Sequence, residues 1–177
     1  MRMMRNTAIV LMGVSGAGKS TIGVRLARKL KREFLEGDSF HPAANVEKMS
    51  RGVPLDDDDR LPWLTAIAEA IDAARCSGRK VIVTCSALKR SYRAILAAGH
   101  DDVAFVYLKG DQKLIAQRLA ARAGHFMPPK LLSSQFAALE EPGGDEGSIM
   151  VAIEQTPDQI VDTIAAMFAA DAEATRP

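Results

Sequence analysis

The sequence predicts an α/β domain in three layers, a five-stranded parallel sheet with helices on both faces. Two observations carry this. Short runs that are apolar at nearly every position recur along the chain, as at residues 7–12 and 103–108. A strand of that kind is covered on both sides, as parallel strands are. Between these runs lie stretches with apolar residues at helical spacing, such as Leu64, Ile67, Ala68, Ile71 and Ala74 on one face. Strand and helix in alternation require crossover connections, and these pair strands in parallel.

Taken in order, residues 7–12 form the first strand and residues 19–31 a helix. Residues 34–37 fit a short second strand, and residues 42–51 a helix closed by Gly52. The helix carrying Leu64 to Ala74 ends at Gly78. Residues 80–84 and 103–108 are the third and fourth strands, with a short helix over 92–97 between them. Residues 111–123 read as helical until Gly124 and the pair Pro128 and Pro129 interrupt. Residues 149–153 are the fifth strand. The last helix has a clear start: Thr156 caps it, Pro157 suits the first helical position and Gln159 completes a capping box. Ile160, Ile164 and Phe168 then share a face, and the tail after Asp171 is expected to fray. There is no repeat or low-complexity linker, so residues 1–177 are expected to form one domain.

Composition narrows the function classes. Hydrophobic residues are 47% and charged residues 25% of the chain, the balance of a globular protein. A net charge of +1 gives no bulk attraction to nucleic acid. The opening MRMMRNTAIVLMG has basic residues before an apolar run, like a signal peptide. The run is short and meets glycines and Lys19 at once, so it reads as a buried strand; no stretch is long enough to cross a membrane. Cys76 and Cys85 are too few for a disulfide framework or metal site and suit a reducing cytoplasm.

Between the first strand and its helix stands GVSGAGKST: Gly13, Val14, Ser15, Gly16, Ala17, Gly18, Lys19, Ser20 and Thr21. This is G-x-x-x-x-G-K-[ST] in its required strand–loop–helix context. Its glycines let successive backbone N–H groups face inward as an anion nest at a helix N-terminus. Lys19 adds charge for the β- and γ-phosphates, Ser20 offers a hydroxyl to Mg²⁺, and Thr21 lies toward the α-phosphate. A glycine-rich turn with an incidental lysine would not also need that context. A nucleoside triphosphate and Mg²⁺ are therefore the expected cofactors. The chain has no D-x-x-G or N-K-x-D element, and no strand ends in the aspartate that many P-loop ATPases use for Mg²⁺. A small-molecule kinase fits better than a switch or motor.

The stretches MGVSGAGKST, GDSFHP, NVEKMSRGVPLDDDDRLPWL, CSALKRSYR, YLKGD and RLAARAGHFMPPKLLSSQFAALEEP, in this order and spacing, closely resemble the bacterial gluconokinases over residues 7–155. The resemblance implies a P-loop kinase fold similar to shikimate kinase and the nucleoside monophosphate kinases. It implies a mobile lid at about residues 118–135, a substrate-binding helical region at about 38–63, and a homodimer. It also implies that the triphosphate is ATP. The implied reaction is transfer of the ATP γ-phosphoryl group to D-gluconate, giving 6-phospho-D-gluconate and ADP.

Phosphoryl transfer needs an oriented alcohol, a place for its proton and positive charge around the moving group. Asp38, just after the second strand, is the candidate proton acceptor, with a simple turn aspartate as the alternative. His41, three residues on, is expected to face the same cavity rather than sit as a surface histidine. Arg118 and Arg122 share a helix face and lead into Gly124. On residue pattern that could be a solvated basic face; the family lid at this position favours contacts to ATP phosphates, with Arg122 catalytic. His125 and Gln135 flank the lid and are candidate contacts to substrate hydroxyls. Lys89 and Arg93 share a face after the third strand and are candidates for a substrate carboxylate or phosphate.

The run Asp56, Asp57, Asp58 and Asp59 precedes Arg60, Pro62 and the chain's one tryptophan, Trp63. Pro62 belongs in a helix's first turn, so the aspartates lie at or ahead of the N-terminus, where the dipole favours them. They read as caps and solvated turn, not as a metal site. Arg60, held among them, is the candidate partner for a gluconate carboxylate. The rivals are a kinase for another sugar acid or for a shikimate-like alcohol, and a regulatory protein that binds ATP without turnover. Shikimate kinases carry a glycine triplet where this chain has Cys85-Ser86-Ala87, and a non-catalytic binder would have lost Lys19, Asp38 or the lid arginines.

Overall fold

The computed structural model describes residues 6–121 and 129–173. Its five strands, β1 (Ala8–Met12), β2 (Glu33–Leu35), β3 (Val81–Thr84), β4 (Val103–Lys109) and β5 (Ile149–Ala152), form one sheet in the order β2-β3-β1-β4-β5. Every pairing is parallel, with Val10 opposite Val83 on one side and Phe105 on the other.

The helices are α1 (Lys19–Leu30), α2 (Ala43–Ser50), α3 (Asp57–Cys76), α4 (Arg90–Ala97), α5 (Gln112–Ala120), α6 (Pro129–Ala138) and α7 (Pro157–Glu173). Alternate residues of β1 enter two cores. Ile9 and Leu11 pack with Ile22 and Leu26 of α1 and Ile160 and Ile164 of α7. Ala8, Val10 and Met12 pack with Trp63, Leu64 and Ile67 of α3 and Tyr92 and Leu96 of α4. Period-two alternation in a central strand thus fastens a helix layer to each face. The parallel direction brings the C-terminal ends of β1, β2 and β3 to one edge, where the following loops converge.

Several boundaries differ from the sequence expectation. The second strand stops at Leu35, and Gly37 enters a 3₁₀ turn (Gly37–Phe40). A Cβ on Gly37 would stand 1.7 Å from the Thr84 carbonyl oxygen, so this backbone is pressed against β3 instead of extending β2. Pro129, one of the two prolines that read as an interruption, opens α6, because a proline in the first helical position gives up no needed N–H. α4 starts at Arg90, earlier than its apolar pattern suggests. Pro62 lies inside α3 beyond the first turn, since a capping box fixes the start at Asp57: Asp59 N donates to the Asp56 carboxylate at 2.8 Å and Asp56 N to that of Asp59 at 2.9 Å. Asp57, Asp58 and Asp59 are therefore the first helical turn, not a lead-in to it. α7 begins as expected, with Thr156 N donating to Gln159 Oε1 at 3.0 Å and Gln159 N to Thr156 Oγ1 at 3.3 Å. It runs to Glu173, past the point where fraying was expected.

Candidate active site

The loop from β1 to α1 is held from both ends. Val14 and Ala17 are buried, pinning it to the core. Gly18, the N-cap of α1, has φ 96° and ψ 15°, a left-handed conformation that asks for glycine although a Cβ there would touch nothing within 4 Å. The Lys19 ammonium folds back to donate to Gly13 O and Val14 O at 3.0 Å each. No acidic residue occupies the first turn of α1, so its N–H groups and dipole face an anion unopposed. Ser20 and Thr21 are exposed there.

Across the cleft, three bonds hold the turn that carries Asp38. Gly37 N donates to Thr84 Oγ1 at 2.9 Å, the Trp63 indole N–H donates to Gly37 O at 2.8 Å, and the Thr84 hydroxyl donates to Glu36. The exposed Asp38 side chain is thus carried on a rigid turn at the end of β2. His41 stacks on buried Trp63 with centroids 4.1 Å apart and planes at 15°. Burial pushes the His41 pKa down; Asp38 opposes that and Arg60 adds to it. Arg60 donates its Nε to Leu55 O at 3.3 Å and sits 5.8 Å above the Tyr92 ring. No carboxylate among the described residues forms an ion pair with it.

These groups meet around a cavity of about 320 Å³ lined by Ser15, Lys19, Asp38, His41, Arg60 and Gln135, among others. Gln135, on α6, accepts from Ser15 N at 2.7 Å, tying that helix to the phosphate loop. A second cavity of about 440 Å³ shares Leu55 and Arg60 with the first and is lined by Lys89, Tyr92 and Asp57. In chemical terms the first cavity pairs an anion nest and a lysine with a carboxylate and a guanidinium. That set can bind a phosphate chain, accept a proton and hold an anionic co-substrate.

Other candidates lie elsewhere. Lys89 reaches the second cavity, with its ammonium on Asp57 at 2.8 and 3.1 Å. That contact raises the Lys89 pKa, while Lys89 and the Tyr92 hydroxyl lower that of Asp57. Arg93 corrects the expectation outright. It is 2% exposed, pairs with Glu146 at 2.6 and 2.9 Å, and donates to the carbonyls of Ala87, Leu88 and Glu140. Its donors are spent on the protein, and it is not among the residues lining either cavity. Arg118 donates to Ile153 O at 2.6 Å, at the end of β5. Arg122 and His125 lie outside the described residues.

The sequence reading passed over Asn45, Thr84 and Tyr92, and saw Trp63 without its role. Asn45 and Thr84 are 4% and 2% exposed, buried polar groups behind the site that contact His41 and Gly37 respectively. Only Asn45 had a usable signal, as the lone amide in the short helix AANVEKMS.

A family model described as an AAA domain matches residues 9–142. The thermoresistant gluconokinase of Escherichia coli (strain K12) is 48% identical over 142 residues, 80% of this chain and 81% of that protein. The crystal structure of a gluconokinase from Sinorhizobium meliloti 1021 superposes with a TM-score of 0.86 at 44% identity, covering 98% of this chain and 97% of that one. A shikimate kinase from Bacteroides thetaiotaomicron, at 18% identity and a TM-score of 0.65, shares the fold. Phosphate loop, parallel sheet and relatives agree: this chain is an ATP-dependent kinase and belongs to the gluconokinase family.

Proposed function

We propose that this chain is a gluconokinase, transferring the γ-phosphoryl group of ATP to the 6-hydroxyl of D-gluconate to give 6-phospho-D-gluconate and ADP. The observation that carries this is one cavity with Lys19 and Asp38 toward the phosphate loop and Arg60, lacking a carboxylate partner among the described residues, in its wall. ATP phosphates lie on the nest of residues 13–21, where Lys19 exchanges its two loop carbonyls for phosphate oxygens. Asp38 orients the 6-hydroxyl and takes its proton as the bond to phosphorus forms. Arg60 offers its planar fork to the carboxylate, with Lys89 as an auxiliary cation.

The donor set fits Mg²⁺. Ser20 gives an exposed hydroxyl at the start of α1, and no cluster of three acidic, His or Cys ligands exists among the described residues. A small hard cation that keeps its waters and phosphate oxygens needs little more. Bound there, it would draw charge from the phosphate oxygens.

Residues 118–135 serve as a lid in this reading, with Arg118 and Arg122 over the phosphates, and Gln135 and His125 at the sugar end. The Gln135–Ser15 bond, which ties one end of the segment to the phosphate loop, supports a lid over the site. We also propose a cytoplasmic homodimer. Unpaired Cys76 and Cys85 support a reducing compartment, and family resemblance supports the dimer, which light scattering would test.

A coupled assay of ADP release with gluconate, other aldonic acids, shikimate and nucleotides is the direct test. Turnover is expected with gluconate at the highest kcat/KM. A higher value for another acceptor would overturn the substrate assignment while leaving the kinase in place.

A further inference from the structure

Helix α2 is solvated over most of its surface, and Asn45 is its one buried residue. A buried amide must find partners, and this one binds two. Its Nδ2 donates to Asp59 O at 2.7 Å and lies 3.4 Å from His41 Nδ1. The carbonyl oxygen of Asp59 can only accept, so the Asn45 atom facing it is the nitrogen. That same nitrogen meets Nδ1 as a donor, so Nδ1 must carry a lone pair. A neutral imidazole with Nδ1 as acceptor holds its proton on Nε2. The ring plane is fixed by its stack on Trp63, itself anchored to Gly37 O. No protein group among the described residues accepts from Nε2, and His41 lines the cavity with Lys19, Asp38 and Arg60.

We propose that Asn45 is a positioning residue that locks His41 in the Nε2–H tautomer, making it a fixed hydrogen-bond donor to an oxygen of the sugar acid and barring it from proton acceptance. The ligand half of this rests on the cavity being the gluconate site; the tautomer half does not. Burial, the main influence lowering the His41 pKa, keeps the ring neutral and supports the same role. Asp38 is then the group left to take the hydroxyl proton.

The test combines spectroscopy with kinetics. In ¹⁵N-labelled protein without substrate, His41 is assigned by the signals missing from His41→Gln, and its long-range ¹H–¹⁵N pattern gives the tautomer. Wild type is expected to show Nε2–H alone. Asn45→Asp replaces the donor with an acceptor and should move the proton to Nδ1. Asn45→Ala should leave a mixture. With the donor gone from the cavity, KM for gluconate should rise roughly tenfold in Asn45→Asp, with kcat and KM for ATP little changed. A wild-type Nδ1–H pattern would overturn the proposal, as would an unchanged tautomer in both variants. A switched tautomer with unchanged KM for gluconate would remove the donor role. Should Asn45→Asp fail to fold, wild type and Asn45→Ala decide. Failure of the gluconate reading would appear separately, as wild type releasing no ADP with gluconate.

Discussion

Two arginines flank Tyr92 and are used in opposite ways. Arg93, its neighbour in α4, is buried, with a carboxylate fork from Glu146 and three backbone carbonyls around its guanidinium. Arg60 lies over the Tyr92 ring with one carbonyl partner and opens onto two cavities. A guanidinium taken from water must have its donors matched, and Arg93 shows the cost met by the protein. Arg60 keeps most of its fork for something else. Charge alone does not mark a binding residue; unspent hydrogen-bonding capacity at a cavity wall does. The same contrast separates Asp38, which lines the cleft, from Asp102, whose carboxylate is spent on Arg75 and Thr7.

The largest expected effects lie on the ligand-facing side. Lys19→Ala should lower kcat by roughly 10³–10⁵, the scale of a charge placed on a transferring phosphoryl group, with circular dichroism unchanged. Substantial turnover by the folded variant would remove the phosphate-loop assignment. Asp38→Asn keeps the size but not the base, and should cost about 10²–10⁴ in kcat with a smaller change in KM for gluconate. An unchanged kcat would make Asp38 a turn residue and Arg60 the lone substrate contact of the pair.

The comparison itself is broken or sharpened by the two arginines. Arg93→Ala leaves the largely buried Glu146 carboxylate without its ion-pair partner, so denaturant unfolding should show a loss of about 3–5 kcal/mol, with kcat of the folded fraction near wild type. Arg60→Lys should show the reverse, an unchanged melting temperature and a KM for gluconate raised by the equivalent of about 2–3 kcal/mol, because an ammonium cannot offer the fork. If Arg60→Ala penalised glucitol, which lacks the carboxylate, as heavily as gluconate, Arg60 would not be reading it.

The smallest effect concerns a charge pair far from the cleft. Asp102 accepts from Arg75 at 2.7 to 3.2 Å and from the Thr7 hydroxyl at 2.6 Å, and Arg75 above all holds its pKa at about 2. A carboxyl lowered on folding stabilises above its unfolded value, and that gain is lost as pH falls through the folded one. Asp102→Asn should therefore cost about 1–2 kcal/mol near neutral pH, and the gap to wild type should close between about pH 4 and 2. A gap independent of pH would show that packing, not the ion pair, is at stake.

The legible parts of the molecule were those written in local chemistry. The apolar runs gave four of the five strands, with β2 read two residues too far along the chain at its end, and Thr156 with Gln159 gave the start of α7, because periodicity and capping act over a few residues. The phosphate loop was legible through backbone requirements that force glycines into a fixed spacing. Arg93 was misjudged because i, i+4 spacing shows that two side chains share a helix face but not what that face packs against. α6 was missed because a proline pair looks the same whether it breaks a helix or opens one.

By itself, the sequence determined the layered parallel sheet, the phosphate loop between its first strand and helix, and the family. All three follow from interactions between near neighbours or from motifs that survive without knowledge of distance. Which charges are spent and which are kept was decided only by tertiary structure. Asn45 becomes a determinant of His41 because folding brings the Asp59 carbonyl, fourteen residues on, to the same amide nitrogen. Gly37 can hold Asp38 in place because Thr84, far along the chain, closes on its backbone. Such contacts depend on crossover connections that bring separate strand ends to one edge, and no local pattern in the chain encodes that meeting.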